Sequence, residues 1–485
     1  MHLLLVAIAT LWFGLGNAAI AQLPADSPRN TRLVQIIQQI EPAVVALFSS
    51  IPNGISSGSG SIIHAGGFVL TNNHVLPNTE GVALLHPSQP TRFRVVCRFP
   101  ESDLAIVRLD PKPDGQPYPT VPLGFSRDLL NGESVVVAGN PGGRGIVYTS
   151  GIVSSREVFE GGPNAMVMSN YVNDRRDRFI QFDAASNRGN SGGPLVNMDG
   201  ALIGVVAAVV DGEQNVGLAI PVDRVRSILH RMLHAELFHG QSLGIQIDPM
   251  QSKAVIASIE EGSAASSSGL AAGDEIVSAN GASIASPLDW WFALETELPS
   301  RRAWQLQIQR NAEEREVQLE AQATRPLPAV SDEGNMPGWR YHLYDLKTNL
   351  LPDFKSLQPV KSGIANELEL ERIANGRKDY FALVLEGRIR VDADGLYRTV
   401  LVSDDGSKLY LNDRLVIDHD GNHPPKAASN AVFLEKGWHP IRIEYFQGNG
   451  QRVLQLAMQP FGQRAALIEG PLPGIKPEMM AHTPQ

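Results

Sequence analysis

The sequence predicts a mainly β protein with several domains, and three observations support this prediction. The chain has 485 residues, 43% of them hydrophobic, which is too long for one core and enough for about two to four domains of ordinary size. Glycine (45 residues) and proline (33 residues) are plentiful, as expected of turn-rich β structure. Short runs of β-branched and aromatic residues alternate with Gly, Pro, Asn and Asp over much of the chain.

The amino-terminal residues predict an export signal. The first 21 residues contain no Asp, Glu, Lys or Arg, and an apolar run from Leu3 to Leu15 ends near Ala19-Ile20-Ala21. That small-x-small pattern before Gln22 is typical of a signal peptide (residues 1–21), so we expect a protein of the periplasm or cell envelope, or a secreted one. An uncleaved membrane anchor is the alternative. The last residues, 463–485, hold several prolines and predict a loose tail.

Charge and cysteine content exclude some classes of function. The chain has 41 Lys and Arg against 51 Asp and Glu, a formal net charge of −10, and it has no basic runs, so we expect no nucleic acid partner. Cys97 is the only cysteine, so no intramolecular disulfide can form. Its apolar neighbours predict that it is a buried core residue.

The first predicted domain spans residues 29–237. Apolar residues between Arg29 and Ile40 recur at helical spacing, and Val222 to Leu237 predicts a second helix that closes the domain. Between them, from Val44 to about Ile220, short strands with turn signals predict an antiparallel barrel or sandwich.

The segment Gly189-Asn190-Ser191-Gly192-Gly193-Pro194 is the most informative part of the sequence. A serine hydroxyl is a poor nucleophile and must lose its proton as it attacks a carbonyl carbon. The attack creates an oxyanion that needs preplaced donors, and glycines allow the tight turn that aims backbone N–H groups at one point. We therefore predict Ser191 as the nucleophile and the amides of Gly189 and Ser191 as the oxyanion donors.

Two further residues complete a predicted Ser-His-Asp triad. His74 follows an apolar strand, and Asp103 begins another. A general base of this kind is a histidine whose second nitrogen is held by a carboxylate. The chain order His, Asp, Ser is that of chymotrypsin-type enzymes. Taken singly, His74 could be a core histidine and Asp103 a strand cap; together with the serine motif they predict a catalytic site.

Residues 44–223 resemble the protease domain of the HtrA/Deg (high-temperature-requirement) family. The resemblance implies a chymotrypsin-like double β-barrel with the triad at its seam and no cofactor for catalysis. It also implies ATP-independent cleavage of misfolded or partly unfolded envelope proteins, by homo-oligomers that are trimers or multiples of trimers. The matching strings, in family order, are Ser57–Ile63, Leu70–Val75, Asp103–Val107, Gly139–Gly143, Phe179–Ala184, Gly189–Pro194 and Gly217–Pro221.

The predicted specificity pocket departs from the family pattern. Five residues before the nucleophile, where the family usually has an apolar residue, the sequence has Ser186. The later pocket segment is Gly217-Leu218-Ala219, with Leu218 where an aromatic residue is common. We expect a small pocket without charge that accepts small aliphatic side chains.

Residues 240–322 resemble a PDZ domain, an α+β fold, in the HtrA arrangement. Such domains add an extended peptide to a sheet edge and hold its C-terminal carboxylate with backbone amides. Leu243, Gly244 and Ile245 would form that carboxylate loop, and C-terminal peptides would be its ligands. A PDZ domain that only docks against the protease assembly is the alternative. The matching strings are Ser242–Ile245, Ile256–Gly262, Ser268–Leu270 and Ala272–Gly281.

Residues 323–337 are rich in proline and acidic residues and predict a linker. Residues 338–462 resemble the protective-antigen-type β-sandwich, a module often attached to glycosidases, adhesins and secreted proteases. In its glycan-binding relatives, paired aspartates at the positions of Asp404 and Asp405 bind Ca²⁺, which holds sugar hydroxyls, and oxygen ligands suit calcium. A structural Asp-Gly turn without metal is the alternative. The matching strings are Gly395–Tyr397, Val402–Asp413, Val416–Asp418, Glu435–His439 and Ile441–Phe446.

Together these patterns predict an exported serine endopeptidase that acts on unfolded proteins, with a PDZ domain for peptides and a C-terminal module for glycans. The alternative is a peptide- and glycan-binding scaffold or chaperone whose protease is idle or secondary. The intact triad argues against an idle site.

Overall fold

The computed structural model describes residues 26–52, 54–86, 89–159, 178–209, 215–331 and 338–460. The predicted signal peptide and tail lie outside these residues. The chain divides into two compact units, residues 1–158 with 179–225 and residues 159–178 with 226–485, and each is described by itself. No helix within the described ranges has the length and apolar character needed to span a bilayer.

The first unit begins with a helix and a closed six-stranded barrel. Helix α1 (Arg32–Ile40) starts after Thr31, whose hydroxyl accepts from the Val34 N–H at 3.4 Å, and it ends next to Pro42. The barrel strands run in the spatial order β1-β2-β3-β6-β5-β4. They are β1 (Val44–Ile51), β2 (Gly54–His64), β3 (Phe68–Asn72), β4 (Glu80–Leu85), β5 (Gln89–Phe99) and β6 (Leu104–Leu109).

A second closed barrel follows, in the order β10-β11-β12-β9-β8-β7. The double β-barrel predicted for this region is therefore confirmed. Its core is filled by inward-facing aliphatic residues and by Phe182, which is fully buried. The strands are β7 (Ser134–Gly139), β8 (Val147–Phe159), β9 (Arg178–Phe182), β10 (Pro194–Asn197), β11 (Leu202–Val209) and β12 (Gly217–Pro221).

The helix predicted from Val222 to Leu237 is two helices. Helix α2 (Val222–Leu233) and helix α3 (Ala235–His239) are separated by His234, whose φ of 44° is left-handed. A left-handed residue cannot continue an α-helix, so the chain turns at His234. The apolar spacing continues across this break, which is why the sequence did not show it.

The PDZ region contains one helix and three small sheets. Strands β17-β16-β18-β19 form a four-stranded sheet, and β14-β15 and β13-β20 form pairs. Helix α4 (Pro287–Glu297) starts at Ser286 and buries Trp290, which packs edge-on against Trp304 at 5.9 Å. The strands are β13 (Gln241–Ser242), β14 (Ile245–Ile247), β15 (Ile256–Ile259), β16 (Glu275–Ala279), β17 (Ala282–Ser283), β18 (Ala303–Arg310), β19 (Glu313–Glu320) and β20 (Gln322–Ala323).

The C-terminal region is a sandwich of two antiparallel sheets around its own core. One sheet has the order β22-β21-β23-β28-β25-β26 and the other β27-β24-β29, with helix α5 (Leu370–Ile373) beside them. The strands are β21 (Trp339–Asp345), β22 (Lys361–Ala365), β23 (Phe381–Val391), β24 (Gly395–Asp404), β25 (Ser407–Leu411), β26 (Arg414–His419), β27 (Lys426–Leu434), β28 (Gly437–Gln447) and β29 (Val453–Pro460).

The described part of the predicted linker makes backbone hydrogen bonds to the start of the PDZ region and to the C-terminal sandwich. The Thr324 N–H donates to the Gly240 carbonyl at 3.0 Å. The N–H groups of Leu327 and Val330 then donate to the carbonyls of Phe433 and Trp438, each at 2.8 Å. Residues 332–337 lie outside the described chain. Short 3₁₀ turns at Glu41–Ala43, Asn73–Val75, Pro100–Ser102, Pro141–Gly143, Ala265–Ser267 and Phe354–Ser356 complete the fold.

Candidate active site

The first barrel brings His74 and Asp103 together. His74 lies in the 3₁₀ turn after β3, and its Nδ1 is 2.7 Å from Asp103 Oδ2. The backbone N–H of His74 donates to the other carboxylate oxygen at 3.0 Å. The Asp103 carboxylate therefore holds both the main chain and the ring of His74, and its contact with the ring is through Nδ1 rather than Nε2.

The backbone around Asp103 explains this placement. Asp103 has a left-handed φ of 49°, an unusual conformation that turns the chain from a 3₁₀ turn into β6. Its carbonyl accepts from the Asn72 side chain at 2.9 Å and from the Asn73 N–H at 3.1 Å. The hydrogen bond to Asp103 raises the pKa of His74 above its ordinary value of 6.5, and burial of the ring opposes the rise.

Ser191 lies in a tight turn that leads into β10. Gly189 and Gly192 flank it with φ of 106° and 82°, values that other residues rarely adopt. A Cβ atom on Gly189 would overlap the carbonyl oxygen of Asn140. The Ser191 hydroxyl donates to the Ala207 carbonyl at 3.2 Å, so in this rotamer it is directed to β11 and must turn to reach a base.

The predicted oxyanion donors are not occupied by hydrogen bonds within the described chain. Within the part of the chain that the structure describes, the N–H groups of Gly189 and Ser191 donate to no acceptor. The Ser59 hydroxyl donates to the Gly189 carbonyl at 2.7 Å and accepts from the Asn140 N–H at 2.8 Å. Ser59 and Asn140 lie in the strings that match the family, but no local pattern singles them out, because their contacts join segments far apart in the chain.

The predicted specificity residues lie around the same turn and on β12. The Ser186 hydroxyl accepts from the Asn190 side chain at 3.4 Å, so its polarity is partly satisfied within the protein. Leu218 and Ala219 are buried, and a Cβ atom on Gly217 would overlap the ring of Phe182. Phe182, which no sequence pattern marks as a pocket residue, therefore also shapes this region.

The predicted PDZ carboxylate loop lies against a carboxylate side chain of the same chain. The Leu243 and Gly244 N–H groups both lie near Glu236 Oε1, at 2.7 and 3.4 Å, and Ile245 begins β14. Burial raises the pKa of the Glu236 carboxyl, and hydrogen bonds from the loop and from Ser242 oppose that rise.

Asp404 and Asp405 are both buried at the start of the turn between β24 and β25. The Asp405 carboxylate accepts from the His423 N–H at 3.2 Å and from the Gly448 N–H at 2.7 Å. Burial, with a smaller contribution from Asp405, raises the pKa of Asp404 to about 7. The side-chain oxygen of Asn422 is buried and has no hydrogen-bond partner among the described residues. Searched over those same residues, the structure has no group of three or more His, Cys, Asp or Glu side chains placed to hold a metal.

Comparisons with known proteins agree with this architecture. Family models match a trypsin-like peptidase domain over residues 58–205, a PDZ domain over 241–321 and a PA14 domain over 336–468. The mitochondrial serine protease HTRA2 of Bos taurus is 37% identical over 244 residues, which cover 46% of this chain and 50% of HTRA2. The periplasmic serine endoprotease DegP of Salmonella typhimurium is 36% identical over 246 residues, which cover 47% of this chain and 49% of DegP.

A solved structure of the HtrA-type protease AlgW with a tripeptide matches 61% of this chain and 98% of AlgW, with 27% identity and a TM-score of 0.36. The chain spans about half the length of the curated relatives it matches. The fold and the arrangement of His74 and Asp103 define a protein with a trypsin-like peptidase domain. The chain joins that domain to a PDZ domain and a PA14 domain, and its relatives are HtrA/DegP serine proteases.

Proposed function

We propose that this protein is an exported, ATP-independent serine endopeptidase that cleaves misfolded or partly unfolded proteins with His74, Asp103 and Ser191. The observation that carries the proposal is the double contact between Asp103 and His74, through both ring and backbone. A histidine held in this way has a fixed ring orientation and a defined tautomer, which are what a general base requires.

The chemistry follows from these positions. The Ser191 hydroxyl turns from Ala207 toward His74, its proton passes to Nε2, and its oxygen bonds to the substrate carbonyl carbon. The carbonyl electron pair moves to the oxygen, which the amides of Gly189 and Ser191 stabilise. His74 then gives its proton to the leaving amine as the C–N bond breaks, and water hydrolyses the acyl-enzyme by the reverse sequence.

The pocket residues set the expected preference. Ser186, Leu218 and Ala219 offer no charge, and the last two are buried. Cleavage is expected after small aliphatic residues rather than after Lys, Arg or Phe, and a peptide-library digest read by mass spectrometry measures this preference.

The PDZ domain supports a role in peptide capture. Strand β14 pairs only with β15 in the described chain, so its other edge is available for an added strand. Leu243, Gly244 and Ile245 would hold the peptide's C-terminal carboxylate there. The similarity to periplasmic proteases supports an exported protein. We expect it to form a homo-oligomer that is a trimer or a multiple of a trimer.

The C-terminal module is proposed to bind glycan with the help of Ca²⁺. Three observations support this proposal: Asp404 and Asp405 are buried carboxylates, the amide oxygen of Asn422 is buried without a hydrogen-bond partner among the described residues, and Asp405 and Asn422 both lie near Gly448. Asp404, Asp405 and Asn422 would hold the ion, which would supply positive charge for sugar hydroxyls. The module would raise the concentration of the enzyme near a surface without taking part in the chemistry.

Covalent labelling by a fluorophosphonate tests the proposed protease directly. The wild-type protein should label at Ser191 and cleave β-casein, and Ser191→Ala should remove both signals while the circular dichroism spectrum stays unchanged. Ser154→Ala, an exposed serine on β8, is the matched control and should keep both. Inhibitor-sensitive cleavage by Ser191→Ala would contradict the assignment, and a folded wild-type protein that never labels would favour the binding scaffold.

A further inference from the structure

The carboxylate loop of the PDZ domain is bound by a side chain of the same chain. Glu236 Oε1 accepts from the Leu243 N–H at 2.7 Å and lies 3.4 Å from the Gly244 N–H, which also donates to the Ser242 hydroxyl at 3.0 Å. These amides belong to the segment that a PDZ domain uses for the terminal carboxylate of its ligand. Glu236 thus offers the loop the same functional group that a peptide would bring.

The fold around Glu236 holds it in this place. Helix α3 carries Glu236 and starts at the left-handed residue His234, which turns it away from the direction of α2. On the other side, the Thr324 hydroxyl donates to the Glu236 carbonyl at 3.1 Å, and the Thr324 N–H donates to Gly240 at the end of the helix. The main chain of α3, from which the Glu236 side chain extends, is therefore held at both of its ends.

The rest of the groove remains suited to a peptide. Beside β14 lies a cavity of about 450 Å³, a volume ordinary for a ligand site. Trp291 and Leu294 of α4 line it, and so do residues of β20 and of strands β26 and β27 of the C-terminal module. The outer edge of β14 offers main-chain groups for strand addition. Glu260 and Glu261 stand at the same cavity and add negative charge. Of the contacts that a peptide's free C-terminus needs, the one to its carboxylate is already occupied, by Glu236.

We propose that Glu236 is an internal ligand of the carboxylate loop, and that a peptide with a free C-terminal carboxylate and an apolar last residue binds only by displacing it. Two carboxylates cannot share the same two amides without strong repulsion. The apparent affinity for such a peptide is therefore reduced by the fraction of molecules in which Glu236 has left the loop. This inference rests on the proposed role of the PDZ domain in peptide capture.

Peptide binding to the full chain tests this inference. All proteins carry Ser191→Ala to prevent hydrolysis, and the probes are a fluorescein-labelled decapeptide ending in Val with a free carboxylate and its amidated twin. The parent should bind both peptides weakly and alike in fluorescence anisotropy. Glu236→Ala should tighten binding of the free-acid peptide by about tenfold or more, as for a loop open in about a tenth of molecules, and leave the amidated peptide unchanged.

Two further variants make the result specific. Glu261→Ala removes the same charge from an exposed position at the same cavity, and binding should change less than about twofold. Glu236→Gln keeps the shape of the side chain and should give an intermediate gain, and it carries the test if the alanine variant unfolds.

Equal affinity of the parent and both Glu236 variants for the free-acid peptide would overturn the inference while leaving peptide capture intact. An equal gain from Glu261→Ala would also overturn it, because the effect would then be one of overall charge. Absence of binding in every protein would reject both the inference and the proposed peptide capture, whereas fluorophosphonate labelling of Ser191 tests the protease separately.

Discussion

Asp103 acts on His74 in two ways that a substitution can separate. Asn at position 103 could still accept from the His74 N–H, but it would not stabilise a positively charged ring. We expect Asp103→Asn to lower kcat/KM by about 10³-fold or more, as loss of a triad carboxylate does elsewhere. Steady-state hydrolysis of a fluorogenic peptide measures the change, and a loss smaller than about tenfold would contradict the role of Asp103.

The pH dependence of the same assay follows from the raised pKa of His74. The ring accepts a proton only when it is neutral, so kcat/KM should rise with pH and level off above that pKa, which lies above 6.5. The carboxylate causes the rise, so Asp103→Asn should shift the midpoint to lower pH in whatever activity remains. A wild-type midpoint below 6.5 would contradict the geometry.

From its hydrogen bonds we expect Ser59 to position the turn that carries the predicted oxyanion donors. It is fully buried, donates to the Gly189 carbonyl at 2.7 Å and accepts from the Asn140 N–H at 2.8 Å. Its loss leaves that carbonyl only the longer, 3.3 Å hydrogen bond from the Asn140 N–H, so the turn that carries the predicted oxyanion donors is held less firmly. Ser59→Ala should lower kcat by about 10- to 100-fold and change KM little, since a misdirected donor weakens the transition state most. Ser61→Ala, which is also buried on β2, is the control and should keep kcat within about threefold. A change in KM with kcat unchanged would refute the positioning role.

These residues show what the sequence can predict about the site. Ser191, His74 and Asp103 were predicted because each lies in a local pattern with a chemical meaning. Ser59 and Glu236 were not, because their roles arise from contacts with segments 130 residues and 7 residues away that no local pattern encodes. A glutamate on a short helix looks like any solvated side chain until the fold places it at the loop.

At the scale of elements, the turn between β24 and β25 depends on its two carboxylates differently. Asp405 is bonded to two backbone amides and supports the fold, whereas the hydrogen bonds of the described chain leave the Asp404 carboxylate available. Asp404→Asn should therefore keep the fold and remove the rise in Tm that Ca²⁺ gives to the wild type, because a ligand bound only by the native state stabilises it. Differential scanning calorimetry with Ca²⁺ and with a chelator measures this. An equal Ca²⁺ response in both proteins would exclude Asp404 as a ligand.

The elements also show where sequence patterns stop being informative. Short β-rich runs and turn residues predicted β structure in these regions but left barrel and sandwich open, and it was the family resemblance that implied two barrels and a C-terminal sandwich. Helical periodicity did not reveal the break at His234, because the apolar residues on either side of it remain in phase and only the backbone angle changes.

At the scale of the whole molecule, the boundary of the C-terminal module as a folding unit differs from its boundary as a family match. The match begins at residue 336, but Leu327 packs against the module's core and its N–H and carbonyl bond to Phe433 and Glu435. Val330 adds a further bond to Trp438. The residues that join the module to the PDZ domain are thus also structural parts of the module.

A fragment of residues 338–462 should consequently be less stable than one of residues 323–462. Each lost backbone hydrogen bond is worth about 1 kcal/mol, and the removal of Leu327 exposes apolar surface, so we expect a loss of about 2–4 kcal/mol and a Tm lower by roughly 8–15 °C. Thermal unfolding by circular dichroism measures the difference, and equal midpoints would show that the segment only rests on the surface. Because the segment before residue 338 is hydrogen-bonded both to the PDZ region and to the module, a transplant of the module onto another enzyme would have to include this segment.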